Sequence, residues 1–234
     1  MRRWEKIIEL LKRYHFLTYR QLITLGVSTT NSNLSPIVRG LVKDGYVNEW
    51  KKPTYESFFY LSKKGARRFN GLGRGRYQKR PIDMDHRLRT VDVEILLNKH
   101  NLKYCSKYYD PGKQTNIPLL DKSFEPDLIG VISTSKQEEL YLVEVEQGVD
   151  VKKIVSKIEL HALALRVGAV PNHLGFKRGY RVLIVVEDKK IIDRVLKRVS
   201  EEIKTSFKEN FLVSSDLSEW CNLGKQKRKL YYEK

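Results

Sequence analysis

The sequence predicts a mixed α+β/α/β chain in two parts, a small N-terminal unit of helices and a ribbon and a larger unit built on a mixed β-sheet flanked by helices. Three observations predict it. Residues 1–70 carry three helical apolar stripes and then two strand-like runs. GLGRGRYQKR at 71–80 breaks the composition with three glycines and four basic residues. From Phe124 onward, two β-rich runs lead into alternating helical and strand patterns. A length of 234 residues leaves room for one or two domains, each with its own core.

In the first unit, Trp4, Ile7, Ile8, Leu10, Leu11 and Tyr14 form a helical stripe between charges. Thr18 caps a second short helix, TYRQLITLG, which stops at Gly26. A third helix carries Leu34, Ile37, Val38, Leu41 and Val42 at helical spacing and ends at Asp44-Gly45. The runs VNEWKK and SFFYLS, parted by Pro53-Thr54-Tyr55, then read as a two-stranded ribbon, and SKKGARRF as a Ser-capped helix. That order describes a winged helix-turn-helix, whose third helix enters the major groove of DNA. Ser28, Thr29, Thr30, Asn31, Ser32, Asn33 and Ser35 crowd the start of that helix with hydroxyls and amides suited to phosphates and base edges. The bland alternative for each is N-capping and a solvated face. Arg39 and Lys43 continue its outward side, and Lys51, Lys52, Lys63 and Lys64 border the wing.

The break at 71–84 reads as an extended cationic linker in which Arg74 and Arg76 hug phosphates. Domains are therefore expected at 1–70 and 85–220, with a basic tail at 221–234. DHRLRTVDVEILLNKH at 85–100 is helical, and placing Leu88, Val91, Ile95 and Leu96 on one face brings Asp92 onto it. An acid within an apolar stripe needs a partner or faces a cavity. Asp92 is thus a candidate fourth member of the acidic cluster described next, or a rim residue that sees water.

FEPDLIGVISTSKQEELYLVEVEQG, Phe124 to Gly148, reads as a hairpin with acids at chosen ends. Asp127 opens the first strand behind Pro126, while Glu144 and Glu146 close the second and share a face. Antiparallel pairing sets Asp127 about 5 Å from Glu144. Two such charges repel by roughly 3 kcal/mol at an effective dielectric of about 20. A bound proton, a cationic side chain or a divalent metal must offset that, unless the carboxylates splay into solvent. The helix that follows, Asp150 to Arg166, carries Lys157 and His161 along the edge of its apolar stripe, where they can lean over the acids. GYRVLIVVED is then a doubly buried strand, Asp188 to Asn210 an amphipathic helix and FLVSS a last strand.

The chain holds 45 Lys and Arg against 28 acids, a formal charge of +17 and a pI near 9.7. Such an excess favours a polyanion, nucleic acid before an anionic membrane. The N-terminal stripe is laced with charge and no apolar run approaches the length of a span, so neither a signal peptide nor a membrane helix is expected. Cys105 and Cys221 make no metal-spaced motif and no disulfide framework, which fits a reducing cytoplasm.

Pro126-Asp127 and Glu144-Val145-Glu146, with Asp92 or Glu94 on the preceding helix, resemble the PD-(D/E)xK superfamily and its restriction-endonuclease-like fold. The sequence departs from that pattern at the lysine position, which Glu146 occupies; in some members the lysine has moved to the next helix, where Lys157 stands. More narrowly, FFYLSKKG, the His86 helix, FEPDLIG, LVEVEQG and the Lys157–His161 helix are similar to the replication-relaxation family of plasmid and mobile-element proteins. The resemblance implies a metal-dependent DNA-nicking site acting at a replication or transfer origin. Asp127, Glu144 and Glu146 would hold Mg²⁺ or Mn²⁺, with Lys157 and Asp92 completing the catalytic set. Implied partners are double-stranded DNA and nicked or single-stranded DNA at an origin, with no membrane. Two alternatives stand beside it: a winged-helix replication or transcription regulator with a degenerate nuclease fold, and a junction-selective nuclease acting as a homodimer.

Overall fold

The computed structural model describes residues 1–52, 55–69, 84–98, 102–106, 116–133, 138–176, 179–201, 203 and 210–215. The chain is mixed α and β and divides into two compact units, Met1–Ile95 and Leu96–Lys234.

The first unit runs α1 (Arg3–Tyr14), β1 (Leu17–Thr18), α2 (Tyr19–Thr24), α3 (Asn31–Lys43), β2 (Val47–Lys52), β3 (Tyr55–Leu61), α4 (Lys63–Phe69) and most of α5 (Met84–Asn98). Its core joins Ile7, Ile8 and Leu11 of α1 to Leu22, Leu34, Val38 and Phe59. A reciprocal cap starts α2: Thr18 Oγ1 accepts from the Gln21 N–H, and Gln21 Oε1 accepts from the Thr18 N–H. The three strands lie in the order β1-β3-β2, all antiparallel; the two-residue β1 is too short to be read from sequence.

Ser62 explains the SKKG signature. Its hydroxyl donates to the Gly45 carbonyl and accepts from the Gly65 N–H, so α4 is stitched to the turn that ends α3. A Cβ at residue 65 would collide with the Tyr46 carbonyl, so only glycine fits there.

The expected boundary moves. Helix α5, read from sequence as the opening of the second unit, lies mainly in the first, because Val91 and Ile95 are buried in the same core as Ile7 and Leu11. The linker at 71–83, with Arg74 and Arg76, and the tail at 221–234 lie outside the described residues.

The second unit runs β4 (Leu102–Ser106), β5 (Ile117–Leu119), β6 (Lys122–Phe124), β7 (Leu128–Ser133), β8 (Glu138–Val145), α6 (Val151–Arg166), α7 (Ala169–Leu174), β9 (Tyr180–Val185), α8 (Lys189–Arg198) and β10 (Phe211–Ser214). Five strands form one sheet in the order β10-β9-β8-β7-β4. The β4, β7 and β8 strands form an antiparallel meander, whereas β8, β9 and β10 run parallel. Parallel neighbours need crossovers, which α6 with α7 and then α8 supply. Both crossover helices lay their apolar stripes on one face of the sheet: Val151, Ile154 and Ile158 of α6 and Ile191 and Val195 of α8 pack with Leu140, Leu142, Val182 and Ile184. Sequence reading took the β5–β6 hairpin for loop, and ran one helix from Asp188 to Asn210 where α8 ends at Arg198 and residues 201, 203 and 210 are again helical after a break at 199–200.

Candidate functional site

Register builds the site. Leu128 pairs with Val143, so the residue before it, Asp127, stands opposite Glu144. Beyond β8, the Glu146 N–H donates to the Val185 carbonyl at 2.7 Å, which keeps that residue against the sheet. Alternation puts Glu144 and Glu146 on the face of Leu140 and Leu142, under α6. Asp127, Glu144 and Glu146 are all at most 3 % exposed.

Three buried carboxylates are not left to repel one another. Asp127 Oδ2 accepts from the Val145 N–H at 2.8 Å. Lys157 Nζ donates to Glu144 Oε2 at 2.6 Å, forms an ion pair with Glu146 Oε1 and stands 4.0 Å from Asp127 Oδ2. Lys153, one turn earlier on α6, reaches Glu146 Oε2 at 2.9 Å. His161, one turn later, meets Glu144 Oε1 through Nε2 at 3.0 Å. Because a carboxylate only accepts, that nitrogen carries the proton; Nδ1 has no hydrogen-bond partner among the described residues. The Tyr180 hydroxyl donates to the His161 carbonyl, and Phe124 packs edge-on against the ring. Burial raises the Tyr180 phenol well above its ordinary value, so it stays a donor.

Residues 153, 157 and 161 are four apart, so they form one stripe of α6 rising about 6 Å per step. Glu144 and Glu146, two apart on a strand, are spaced by nearly the same length. The match of these two repeats lets a single helix neutralise both acids. Burial alone would lower the Lys157 ammonium, but the charges of Glu144 and Asp127 and the hydrogen bonds of Glu144 and Glu146 outweigh it, leaving it above the ordinary lysine range. Lys157 thus sets one ammonium between the carboxylates of Glu144 and Glu146. Lys153 was missed in the sequence, although its i,i+4 spacing to Lys157 was there to find.

Asp92 is bonded within the first unit. Its carboxylate accepts from Arg20 Nη2 at 2.8 Å and Gln21 Nε2 at 2.9 Å, both on α2 of the first unit. An acid in an apolar stripe did need a partner, and α2 supplies it. Glu94, the other candidate on that helix, is buried.

The donors at the cluster are all carboxylate oxygens, the hard ligands that Mg²⁺ and Mn²⁺ take, so the chemistry of the set fits such an ion. As arranged, they close around Lys157; among the described residues no three His, Cys, Asp or Glu side chains form a ready metal set.

At the start of α3, Thr29, Thr30, Asn31, Ser32 and Asn33 are exposed, as are Arg39 and Lys43 on its outer side. Thr30 caps the helix, accepting from the Asn33 N–H. Ser28 departs from expectation: it is buried, and its hydroxyl donates to the Thr30 carbonyl and accepts from the Thr30 N–H, so it shapes the turn. Lys51, Lys63 and Lys64 are exposed, and Lys64 also bonds the Asp44 carbonyl and lies over the Tyr46 ring. The Lys52 side chain lies outside the described residues.

No helix among the described residues is long and apolar enough to cross a membrane. Comparison with protein-family models, with curated proteins and with solved structures returned no match.

Proposed function

We propose that this is a DNA-binding protein of the replication-relaxation type, whose second unit nicks DNA in a metal-dependent reaction. The observation that carries the reading is the convergence of Lys157 on the carboxylates of Asp127, Glu144 and Glu146. An antiparallel meander, a crossover helix and a parallel strand, with acids at the strand ends, support the nuclease-like reading of this unit. Asp127, Glu144 and Glu146 would hold the ion, once Lys157 gives up its place among them. An ion held there would supply polarisation of a phosphodiester and activation of a water. Lys157 would be the cation available to the phosphate charge, and His161 would hold Glu144 in orientation.

In the first unit, the order α1-β1-α2-α3-β2-β3 supports a winged helix-turn-helix that offers α3 to duplex DNA. Residues 1–80 hold 18 Lys and Arg against 5 acids, a balance of +13 out of +17.

The test is nicking of supercoiled plasmid in millimolar Mn²⁺ or Mg²⁺ by wild type and Asp127→Asn. Asparagine keeps an acceptor for the Val145 N–H, so the fold survives the change. Wild type is expected to nick and the variant not to; equal activity, or none in wild type with either ion, would sink the enzyme reading. A specific observation then favours the regulator: every acid of the cluster already has a partner inside the fold, and such a protein binds the same DNA without cutting it.

A further inference from the structure

The second unit carries a basic surface that the nicking reading does not use. Around α8, Ile191 and Val195 are buried, whereas Lys189, Lys190, Asp193, Arg194, Lys197 and Arg198 are exposed. At 100° per residue those six positions fill one half of the helix circumference, five cations with one acid. None of the five cations forms an ion pair among the described residues. Two cations of α6 are used differently, Lys153 and Lys157 both being turned onto acids.

Topology decides where this arc lies. Strands β8 and β9 are parallel, with Glu144 beside Ile184 and Val145 beside Val185, so their carboxyl ends share one edge of the sheet. Glu144 and Glu146 lie at that edge. The α6 helix leaves it from β8 and α8 leaves it from β9, and the two pack over the same face of the sheet. The first turn of α8 therefore begins at the sheet edge that carries the acids, and its basic arc leads away from that edge. Asp150 and Asp188 lie at the same edge, but each carboxylate is tied to a backbone N–H of the helix it caps.

We propose that the outer face of α8 is a phosphate-backbone track, which holds duplex DNA across the acid–lysine site independently of the first unit. The proposal rests on the DNA-binding reading above. Duplex DNA is the occupant that fits, because the face offers charge without apolar side chains: Ile191 and Val195 point into the core, leaving no wedge for a lipid surface. Exposed cations on a rigid helix neutralise phosphates and release counterions, an affinity without sequence preference.

The experiment measures duplex affinity against salt for the full chain, for Lys190→Gln/Arg194→Gln/Lys197→Gln, and for Arg39→Gln/Lys43→Gln. All five side chains are exposed, so each variant is expected to melt with wild type. Each phosphate left without its cation takes about 0.9 from the slope of log K against log salt, so the α8 variant should lose about 2 to 3 from its slope. The α3 variant should lose its share separately, and the two losses should add. An unchanged slope in the α8 variant overturns the track. So does a variant that keeps its duplex slope but loses adsorption to phosphatidylserine vesicles, since the face would then be a membrane contact. Wild type that binds no duplex at any salt overturns this inference and the DNA reading together. Wild type that binds duplex through α8 yet never nicks removes the enzyme reading and leaves the track standing.

Discussion

Asp92 on α5 and Glu144 on β8 each interrupt an apolar pattern, and each is met by a cation from a neighbouring helix. Their surroundings make them different objects. Arg20, which bonds Asp92, is 62 % exposed and Asp92 itself 29 %, so water screens the pair. Lys157 and Glu144 are 25 % and 4 % exposed, and a second and third carboxylate share the same ammonium. An exposed pair contributes about 0–1 kcal/mol, whereas removing one partner of a buried pair costs about 3–5 kcal/mol. The first pair pins α2 to α5. The second fills a place that buried acids require something to fill.

The sharpest way to break this contrast is Lys157→Ala. It leaves three buried carboxylates with Lys153 as their remaining lysine, so a loss of about 3–5 kcal/mol is expected in chelator. Because the fold raises the Lys157 ammonium, its stabilisation is complete below the unfolded lysine value of about 10.4 and is lost only as pH rises past the folded one. The gap between wild type and variant should therefore be level at neutral pH and close only in alkali. Millimolar Mn²⁺ should restore part of it, about 2.7 kcal/mol at a hundred times Kd, since the ion takes the place Lys157 vacates. Denaturant melts of both proteins, with chelator and with Mn²⁺, read all of this. A variant that stays unmoved by Mn²⁺ would show that these acids hold no ion, and the regulator would lead.

The hairpin register was legible because a strand's period of two leaves little freedom: once 128–132 and 140–143 pair, Asp127 must face Glu144. The helix after Gly148 was legible for the same kind of reason, and with it the place of Lys157 and His161. What failed was tertiary. The stripe of α5 says that Val91 and Ile95 are buried but not against which core, so the sequence left Asp92 between the acid cluster and a rim that sees water. Ser28 was misread because a hydroxyl at a helix start looks alike in sequence whether it faces solvent or closes a turn. Lys153 was passed over because an exposed lysine carries no periodic signal until its partner is known.

A second test compares the units by acid. His15 closes α1, and its Nδ1 lies 3.0 Å from Arg87 Nη2 on α5. Burial, then the Arg87 charge, lower its pKa from 6.5 to about 4. The unfolded chain therefore takes up this proton first as pH falls, and stability drops between about 6.5 and 4 by at most about 3 kcal/mol. His15→Asn should flatten that limb, asparagine tolerating the positive φ of the position. Melting of both proteins between pH 7 and 4 decides it. Parallel curves would mean that His15 is free to titrate in the fold.

The smallest expected effect separates the two acids most directly. Asp92→Asn keeps an acceptor for the Gln21 amide and removes only the charge facing Arg20. With Arg20 mostly in water, the cost should stay below about 1 kcal/mol and shrink further in salt. Asp127→Asn, by contrast, should abolish nicking. If Asp92 only pins α2, Asp92→Asn keeps wild-type nicking and wild-type response to Mn²⁺, and the measured change is confined to a slightly lower Tm at low salt. A nicking rate that collapses while Tm holds would return Asp92 to the catalytic set. The contrast between the exposed and the buried acid would then fail, because the bond to Arg20 would be a resting contact that the working protein gives up.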